Sequence, residues 1–261
     1  MTTVDFILAL CCRVDDHLSD IPKHPEAHRC PSAVGPVGLL QARTGVGKRA
    51  FDRWLTRDYR PLLPRLPERT RLLRLFRTHQ DWPQRFLAAP TVLGVIDTYG
   101  RELLHPVREG RSSQPMGRTG LCNHRGLVGG QLGLGLNQYG SVVAWDCATA
   151  NVADNTFQWL MRQCEAWMIF LSDTGCQAAA GEPTTLKRCR RGEWNDRILV
   201  ATGLSMLPLV LHCKQVMHRV WASFQARLAF PMAAFHVWVQ GYGLVPTASG
   251  CVPLSIADFR L

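Results

Sequence analysis

The amino-acid sequence predicts a mixed α/β fold, in which helices flank a sheet and a helical region precedes it. Short apolar runs rich in β-branched and aromatic residues, the pattern of buried strands, begin at Thr91. The residues before this point show helical spacing instead. The chain has 261 residues, of which 46% are hydrophobic, enough for a sizeable core. We therefore expect a helical, basic region over residues 1–90 and the α/β core over residues 91–261.

Three helices are predicted near the start of the chain. Residues 4–18 are apolar at helical spacing, and a loop rich in proline follows them. A second helix is predicted over residues 36–43 and a third over residues 48–58, with Gly45 and Gly47 in the turn between them. Helix, glycine turn and helix in this order are the outline of a helix-turn-helix.

Positive charge is concentrated around this predicted motif. The chain carries a formal net charge of +10, and residues 43–77 contain eleven lysines and arginines against three acids. Guanidinium groups match phosphate bidentately, so the segment favours a DNA-contacting module, although solvated basic helices give the same pattern. The residues expected to contact DNA are Arg43, Lys48, Arg49, Arg53 and Arg57, together with Arg108 and Arg111 in a polar loop over residues 108–123.

Strand patterns dominate residues 91–177. In chain order the predicted elements are a strand at 91–96, a glycine-rich strand at 127–137, a turn at 138–140, a return strand at 141–149, a helix capped by Asp154 or Asn155 and ending near 166, and a strand at 167–172. From Trp194 onward the pattern is helical, with breaks or kinks at Pro208 and Pro231. A hairpin and a helix thus separate two apolar strands.

Each of these two apolar strands leads directly into an aspartate, Asp97 or Asp173. A carboxylate at the end of a central strand lies where the core meets solvent, so it can reach a metal while its backbone stays fixed. Two such carboxylates on adjacent strands of one sheet could share divalent cations for phosphoryl-transfer chemistry. The alternative is that each aspartate is an ordinary turn residue.

Other classes of protein are less consistent with the sequence. None of the ten cysteines forms a C-x-x-C pair, so neither a zinc ribbon nor a thioredoxin-type site is indicated, and reduced, mostly buried thiols suggest the cytoplasm. The first ten residues make a poor signal peptide, and the most apolar stretch, residues 198–213, is too short to span a membrane. A phosphate-binding loop is rejected because Ala42 and Arg49 replace its required residues.

Over most of its length the chain resembles the insertion-sequence transposases of the DDE superfamily, bacterial enzymes with a ribonuclease-H-like core. The segments that carry the resemblance are residues 96–99, 105–112, 171–173, 192–197 and 254–257. These families also share a helix signature: Tyr, two residues, Arg, three residues, Glu, six residues, Lys. When the tyrosine of this signature is aligned with Trp194, the aromatic residue and Arg197 match the signature in kind. Ala201 then stands in place of the glutamate, and Pro208 stands in place of the lysine.

The resemblance implies a ribonuclease-H-like mixed sheet in which Asp97 and Asp173 hold Mg²⁺ or Mn²⁺ and Arg197 supports the site. Ala201 can neither ligate a metal nor accept a proton, so the resemblance implies a transposase with an impaired catalytic site. Its partners would be the terminal inverted repeats of a DNA element, bound by a homo-oligomer, with no membrane. Its location would be the bacterial cytoplasm, in association with the nucleoid.

Three functions remain open from the sequence. The first is a DNA-strand-transferring transposase with a compromised metal site. The second is a non-catalytic DNA-binding remnant of a transposase, which recognises inverted repeats without cutting them. The third is a basic ribonuclease-H-like protein with no role on nucleic acid. Metal-dependent DNA cleavage separates the first from the second, and salt-dependent DNA binding separates the second from the third.

Overall fold

A computed structural model shows the arrangement of these elements. It describes residues 2–22, 31–64, 66–105, 107, 109–110, 119–122, 125–164, 166–172, 184–189 and 220–241. The described helices are α1 (Thr3–Leu18), α2 (Pro31–Thr44), α3 (Lys48–Asp58), α4 (Arg69–Thr78), α5 (Gln158–Arg162) and α6 (Trp221–Gly241). The described strands are β1 (Leu93–Leu104), β2 (Gly120–Cys122), β3 (Arg125–Asn137), β4 (Val142–Thr149), β5 (Ile169–Ser172) and β6 (Leu186–Arg188).

Local signals in the sequence account for the ends of the first helices. The Thr2 hydroxyl accepts a hydrogen bond from the Asp5 backbone N–H, and the Asp5 carboxylate accepts one from the Thr2 backbone N–H, which together form a capping box at the start of α1. Gly45 follows α2 with a φ of 61°, a left-handed conformation that favours glycine after a helix. The predicted turn between the second and third helices is therefore confirmed.

The strands form one mixed sheet in the spatial order β4-β3-β1-β5-β6, and β2 extends the edge of β3. β3 pairs antiparallel with β1 on one side and with β4 on the other, whereas β5 and β6 run parallel to β1. The predicted hairpin is confirmed: β3 and β4 are joined through a turn in which Gly140 has a φ of 77°. The general α/β class, with helices on both sides of a mixed sheet, is also confirmed.

Several predicted boundaries were wrong. α2 begins at Pro31, not at residue 36, and the predicted polar loop contains β2. The helix after β4 is short: a 3-10 turn over Asp154–Phe157 leads into α5, and its N-cap position is Ala153, which makes no side-chain cap, rather than Asp154 or Asn155. α6 continues through Pro231 because residues 228–235 are buried on every side, and this packing outweighs the hydrogen bond that proline removes. The predicted helix around Trp194 and Pro208 lies outside the described residues.

Apolar residues cover both faces of the sheet. On one face, Leu132, Leu134 and Leu136 of β3 belong to a continuous cluster with buried residues of α1, α2, α3, α4 and α6. On the other face, Phe157 and Phe170 lie in a second, smaller cluster with residues of α5. The basic helices before residue 79 thus share their core with α6 and the sheet, which fixes their surfaces relative to β1.

Gly133 and Gly135 of β3 carry no side chain, and this allows the second apolar cluster to lie close to the sheet. A Cβ added at Gly133 would overlap the ring of Phe157, whereas one at Gly135 would lie 3.2 Å from a ring carbon of Phe170. Gly133→Ala should lower the free energy of unfolding by about 1–3 kcal/mol, the cost of overpacking a filled site. Gly135→Ala is the matched control and should cost clearly less. Urea unfolding measures both, and equal losses would contradict this packing.

Candidate functional site

The first predicted catalytic residue, Asp97, lies inside β1 and not at its end. The strand continues to Leu104 because β3 pairs with it along its length, with Leu134 opposite Asp97. Side chains alternate along a strand, and Ile96 faces the smaller cluster, so Asp97 lies on the sheet face of Leu134. The carboxylate is half-buried, and its Oδ1 accepts a hydrogen bond from the Thr98 backbone N–H at 2.7 Å.

The strand that leads to the second predicted aspartate is the parallel neighbour of β1. The two strands pair at Leu93 with Ile169, Gly94 with Phe170 and Val95 with Leu171. The prediction that both apolar strands are adjacent in one sheet is therefore confirmed. β5 ends at Ser172, and Asp173 itself lies outside the described residues.

Four further predicted site residues also lie outside the described part of the chain. These are Arg197 and Ala201, in the predicted signature helix, and Arg108 and Arg111, in the polar loop. Within the described ranges no group of three or more His, Cys, Asp or Glu side chains could hold a metal ion. Asp97 is a hard oxygen ligand of the kind that Mg²⁺ prefers, but one carboxylate does not make a magnesium site.

A further carboxylate of the sheet, Asp146 in β4, does not replace the missing acid. It pairs with Gly133, whose added Cβ would point at the Phe157 ring, so Asp146 lies on the sheet face opposite to Asp97. Burial raises the pKa of Asp146, while hydrogen bonds from the Cys147 backbone and from Trp159 act in the other direction. These two acids thus lie on opposite faces of the sheet, and Asp97 is the one on the face on which α6 packs.

The predicted DNA-contacting helix α3 has one apolar face and one basic face. Phe51 and Leu55 are buried. Arg49, Arg53 and Arg57 recur every four residues and are exposed, so they form a stripe on the outer face of the helix. We call these three residues the arginine stripe.

Members of the arginine stripe differ in their partners. The Arg57 guanidinium donates two hydrogen bonds to the neighbouring Asp58 carboxylate, at 2.6 and 2.8 Å, which lowers the pKa of Asp58. This pair is exposed to solvent and contributes little to stability. No ion pair involves Arg49 or Arg53 within the described part of the chain. These two cations are therefore the strongest candidates for contact with an external anion.

One predicted DNA contact is contradicted. Arg43 is only 5% exposed, and its guanidinium carbon lies 4.4 Å from the ring centroid of Phe6 and 5.5 Å from that of Trp238. These are cation–π distances within the core. Position 43 follows the buried residues Leu39, Leu40 and Ala42 on α2, so its helix face points inward. Arg43 stabilises the packing of α1, α2 and α6. It does not belong to the exposed surface of the basic segment, residues 43–77.

The structure also brings together cations that the sequence did not connect. One cavity between α2, α3, α4 and α6 is lined by four cations, which are Lys48, Arg74, Arg77 and Arg227. Arg227 lies about 150 positions beyond the basic segment, and no local pattern links residues so far apart. Only the packing of α6 against the amino-terminal helices reveals this group.

Comparison with protein-family models, with curated proteins and with solved structures found no match. The described helices include none that is both long and apolar enough to cross a membrane. All five cysteines whose side chains are described are free thiols, and two of them, Cys147 and Cys164, are buried. Burial raises the pKa of Cys147 to about 12, so this thiol stays protonated and unreactive at neutral pH.

The core position of Arg43 yields a prediction that separates it from the arginine stripe. Arg43→Ala removes the cation and the side-chain stem from between Phe6 and Trp238, and should lower the free energy of unfolding by on the order of 1–3 kcal/mol. Arg53→Ala, the exposed control, should change it by less than about 0.5 kcal/mol. Thermal unfolding followed by circular dichroism measures both. A neutral Arg43→Ala variant would show that the aromatic contacts contribute nothing.

Proposed function

We propose that this chain is a DNA-binding protein of the DDE insertion-sequence transposase type, with an impaired centre for metal-dependent strand cleavage. The observation that carries the proposal is the parallel pairing of β1 with β5, the two strands that precede or contain the predicted aspartates. The chain order of strand, hairpin, helix and strand supports a ribonuclease-H-like core. The exposed arginine stripe on α3 supports the DNA-binding part.

The register of the described pairing supports a shared site for the two aspartates. Val95 lies opposite Leu171, and both residues are two positions before an aspartate in the sequence. A strand that kept this register would have Asp173 beside Asp97, at the spacing of about 4.8 Å between neighbouring strands. Residues two apart share a sheet face, so both carboxylates would then lie on the face of Leu134.

In this proposal Asp97 and Asp173 hold Mg²⁺ or Mn²⁺. When bound, such ions would supply Lewis-acid chemistry, which would activate a water or a 3′-hydroxyl and stabilise the leaving oxygen of a phosphodiester. Arg197 supports the site or contacts phosphate. Ala201 takes the position of the third acid in the predicted helix register, which leaves the ligand set one carboxylate short. The protein would then bind DNA but cleave it very slowly.

The second candidate function is a non-catalytic remnant that binds the terminal repeats as a homo-oligomer without cutting them. Ala201, which stands where the helix signature has its glutamate, favours it, because alanine can neither ligate a metal nor accept a proton. The arginine stripe serves both functions equally, because phosphate contacts position a protein on DNA whether or not the strand is cut. DNA binding is therefore tested first and cleavage second.

The DNA-binding test uses substitutions that leave the core intact. Removal of residues 1–90 would expose the cluster that α1–α4 share with α6, so point variants are preferable. Arg49→Gln combined with Arg53→Gln should weaken binding to a short duplex about tenfold or more at low salt. The slope of log affinity against log salt should fall by about 2, since each lost phosphate contact contributes about 0.9.

The matched control for this experiment is Arg162→Gln at the end of α5, an exposed arginine of the helix that packs on the opposite sheet face. It should leave both the affinity and the salt slope unchanged. Fluorescence anisotropy over a salt series gives both quantities. A stripe variant that binds as tightly as the native protein, with the same slope, would remove α3 from the interface.

The cleavage test restores the missing acid. The native protein should nick a supercoiled plasmid very slowly with Mg²⁺ or Mn²⁺, and Ala201→Glu should raise the rate, because it completes the set of oxygen ligands. Adding Asp97→Asn to Ala201→Glu should abolish this gain. Adding Asp146→Asn should not, because Asp146 lies on the other sheet face. Rapid native nicking that survives Asp97→Asn would contradict the proposed chemistry and leave the arginine-stripe result unaffected.

A further inference from the structure

A cavity of about 260 Å³ lies between α2, α3, α4 and α6, next to the start of the helix that carries the arginine stripe. Four of its lining residues are cationic, and they come from three helices: Lys48 from α3, Arg74 and Arg77 from α4, and Arg227 from α6. None of the residues that line it is an acid. We call this space the basic cavity.

The polar lining of the basic cavity is suited to an oxyanion. Thr70 and Ser223 add hydroxyl groups and Gln41 adds an amide to the four cations. Lysine and arginine side chains only donate hydrogen bonds, and hydroxyl and amide groups can donate them. A group with several acceptor oxygens, such as phosphate, can satisfy many donors at once, and arginine matches its geometry bidentately.

Apolar side chains in the lining strengthen the repulsion between the cations of the cavity. Leu73, Phe76 and Phe230 add apolar side chains to the lining. Although Lys48 as a whole is exposed, burial around its amine lowers its pKa, and the charges of Arg227 and Arg77 lower it further. Like charges brought together over an apolar surface repel one another, and a bound anion relieves that repulsion.

We propose that the basic cavity binds a phosphate group, and that in the functional complex this group is a backbone phosphate of DNA. A volume of about 260 Å³ lies below the range of about 300–1,000 Å³ typical of drug-sized ligands, which fits one phosphate and part of an attached sugar. Lys48 is the first residue of α3, and Arg49 of the stripe follows it directly. The basic cavity therefore borders the end of α3 at which the arginine stripe begins.

The DNA source of the phosphate rests on the proposed function, whereas phosphate binding itself does not. The experiment therefore has two arms, with inorganic phosphate and with a short DNA duplex, both measured by titration calorimetry. The cavity variants are Arg74→Gln and Arg77→Gln, because both side chains are exposed and their loss spares the core. Arg71→Gln is the matched control, an exposed arginine of the same helix that does not line the cavity.

Inorganic phosphate should bind the native protein and raise its thermal midpoint, since a ligand of the folded state stabilises it. Each cavity variant should lose about tenfold or more in phosphate affinity, as expected for a charge-assisted hydrogen bond, and Arg71→Gln should lose nothing. The duplex should compete with phosphate, and the cavity variants should weaken duplex binding as well. A rise in the pKa of Lys48 on adding phosphate, read from its side-chain NMR signal, would locate the anion at this cavity.

Other outcomes are equally decisive. Phosphate binding that the duplex does not displace would overturn the DNA source and support a site for free phosphate. No phosphate binding, or equal loss in Arg71→Gln and the cavity variants, would overturn the proposal. If the stripe substitutions weaken duplex binding but neither cavity variant does, the inference that a DNA phosphate occupies the basic cavity fails, while the proposed function stands. If phosphate binds and no duplex does, phosphate binding at the cavity survives, while the DNA source and the proposed function fail.

Discussion

Strand β1 pairs with β3 along one edge and with β5 along the other, and this double pairing positions the rest of the sheet. The antiparallel ladder with β3 holds Asp97 in the interior of β1, so the carboxylate cannot swing away with a flexible turn. The parallel ladder brings the strand before Asp173 alongside. Without the second ladder the two apolar runs would be unrelated, and a shared metal would have no structural basis.

The helices depend on the sheet in turn. The face of β3 that carries Leu132, Leu134 and Leu136 is covered by α6 and by the amino-terminal helices, which share one apolar cluster. Arg43 joins these helices by lying between Phe6 of α1 and Trp238 of α6. The orientation of α3, and with it the arginine stripe, is therefore fixed by the same core that packs on the sheet face of Asp97. A DNA strand held by α3 would approach the protein in a defined orientation to the sheet.

Local patterns predicted the local structure well. The hairpin of β3 and β4 followed from alternating apolar residues around a glycine turn, and α3 was predicted at its observed bounds. Two features depended on tertiary context and were missed. Asp97 looked like a strand end because the residues after it are polar, yet pairing with β3 keeps them in the strand. Arg43 looked like part of the basic surface because a charge count does not show which helix face is buried.

Features of the candidate site that combine residues far apart in the chain could not be predicted from local sequence patterns. The basic cavity combines Arg227 with residues of α3 and α4, and its existence depends on how α6 crosses them. The position of Asp146 on the face opposite to Asp97 follows from strand register, which the sequence does not state. By contrast, the adjacency of the two aspartate-linked strands was expected from the sequence, because two carboxylates can share a metal only if their strands lie close together, and the pairing of β1 with β5 confirms it.

The central claim is that Asp97 and Asp173 share one metal site, and affinity cleavage with Fe²⁺ tests it most directly. Iron bound in place of Mg²⁺ produces hydroxyl radicals, in the presence of ascorbate and peroxide, that cut the backbone near the ion. The account predicts fragments that end near both residue 97 and residue 173, suppressed by excess Mg²⁺ and lost in Asp97→Asn, while Asp146→Asn retains them. Cleavage near only one of the two positions, or a pattern that Asp97→Asn leaves unchanged, would contradict it.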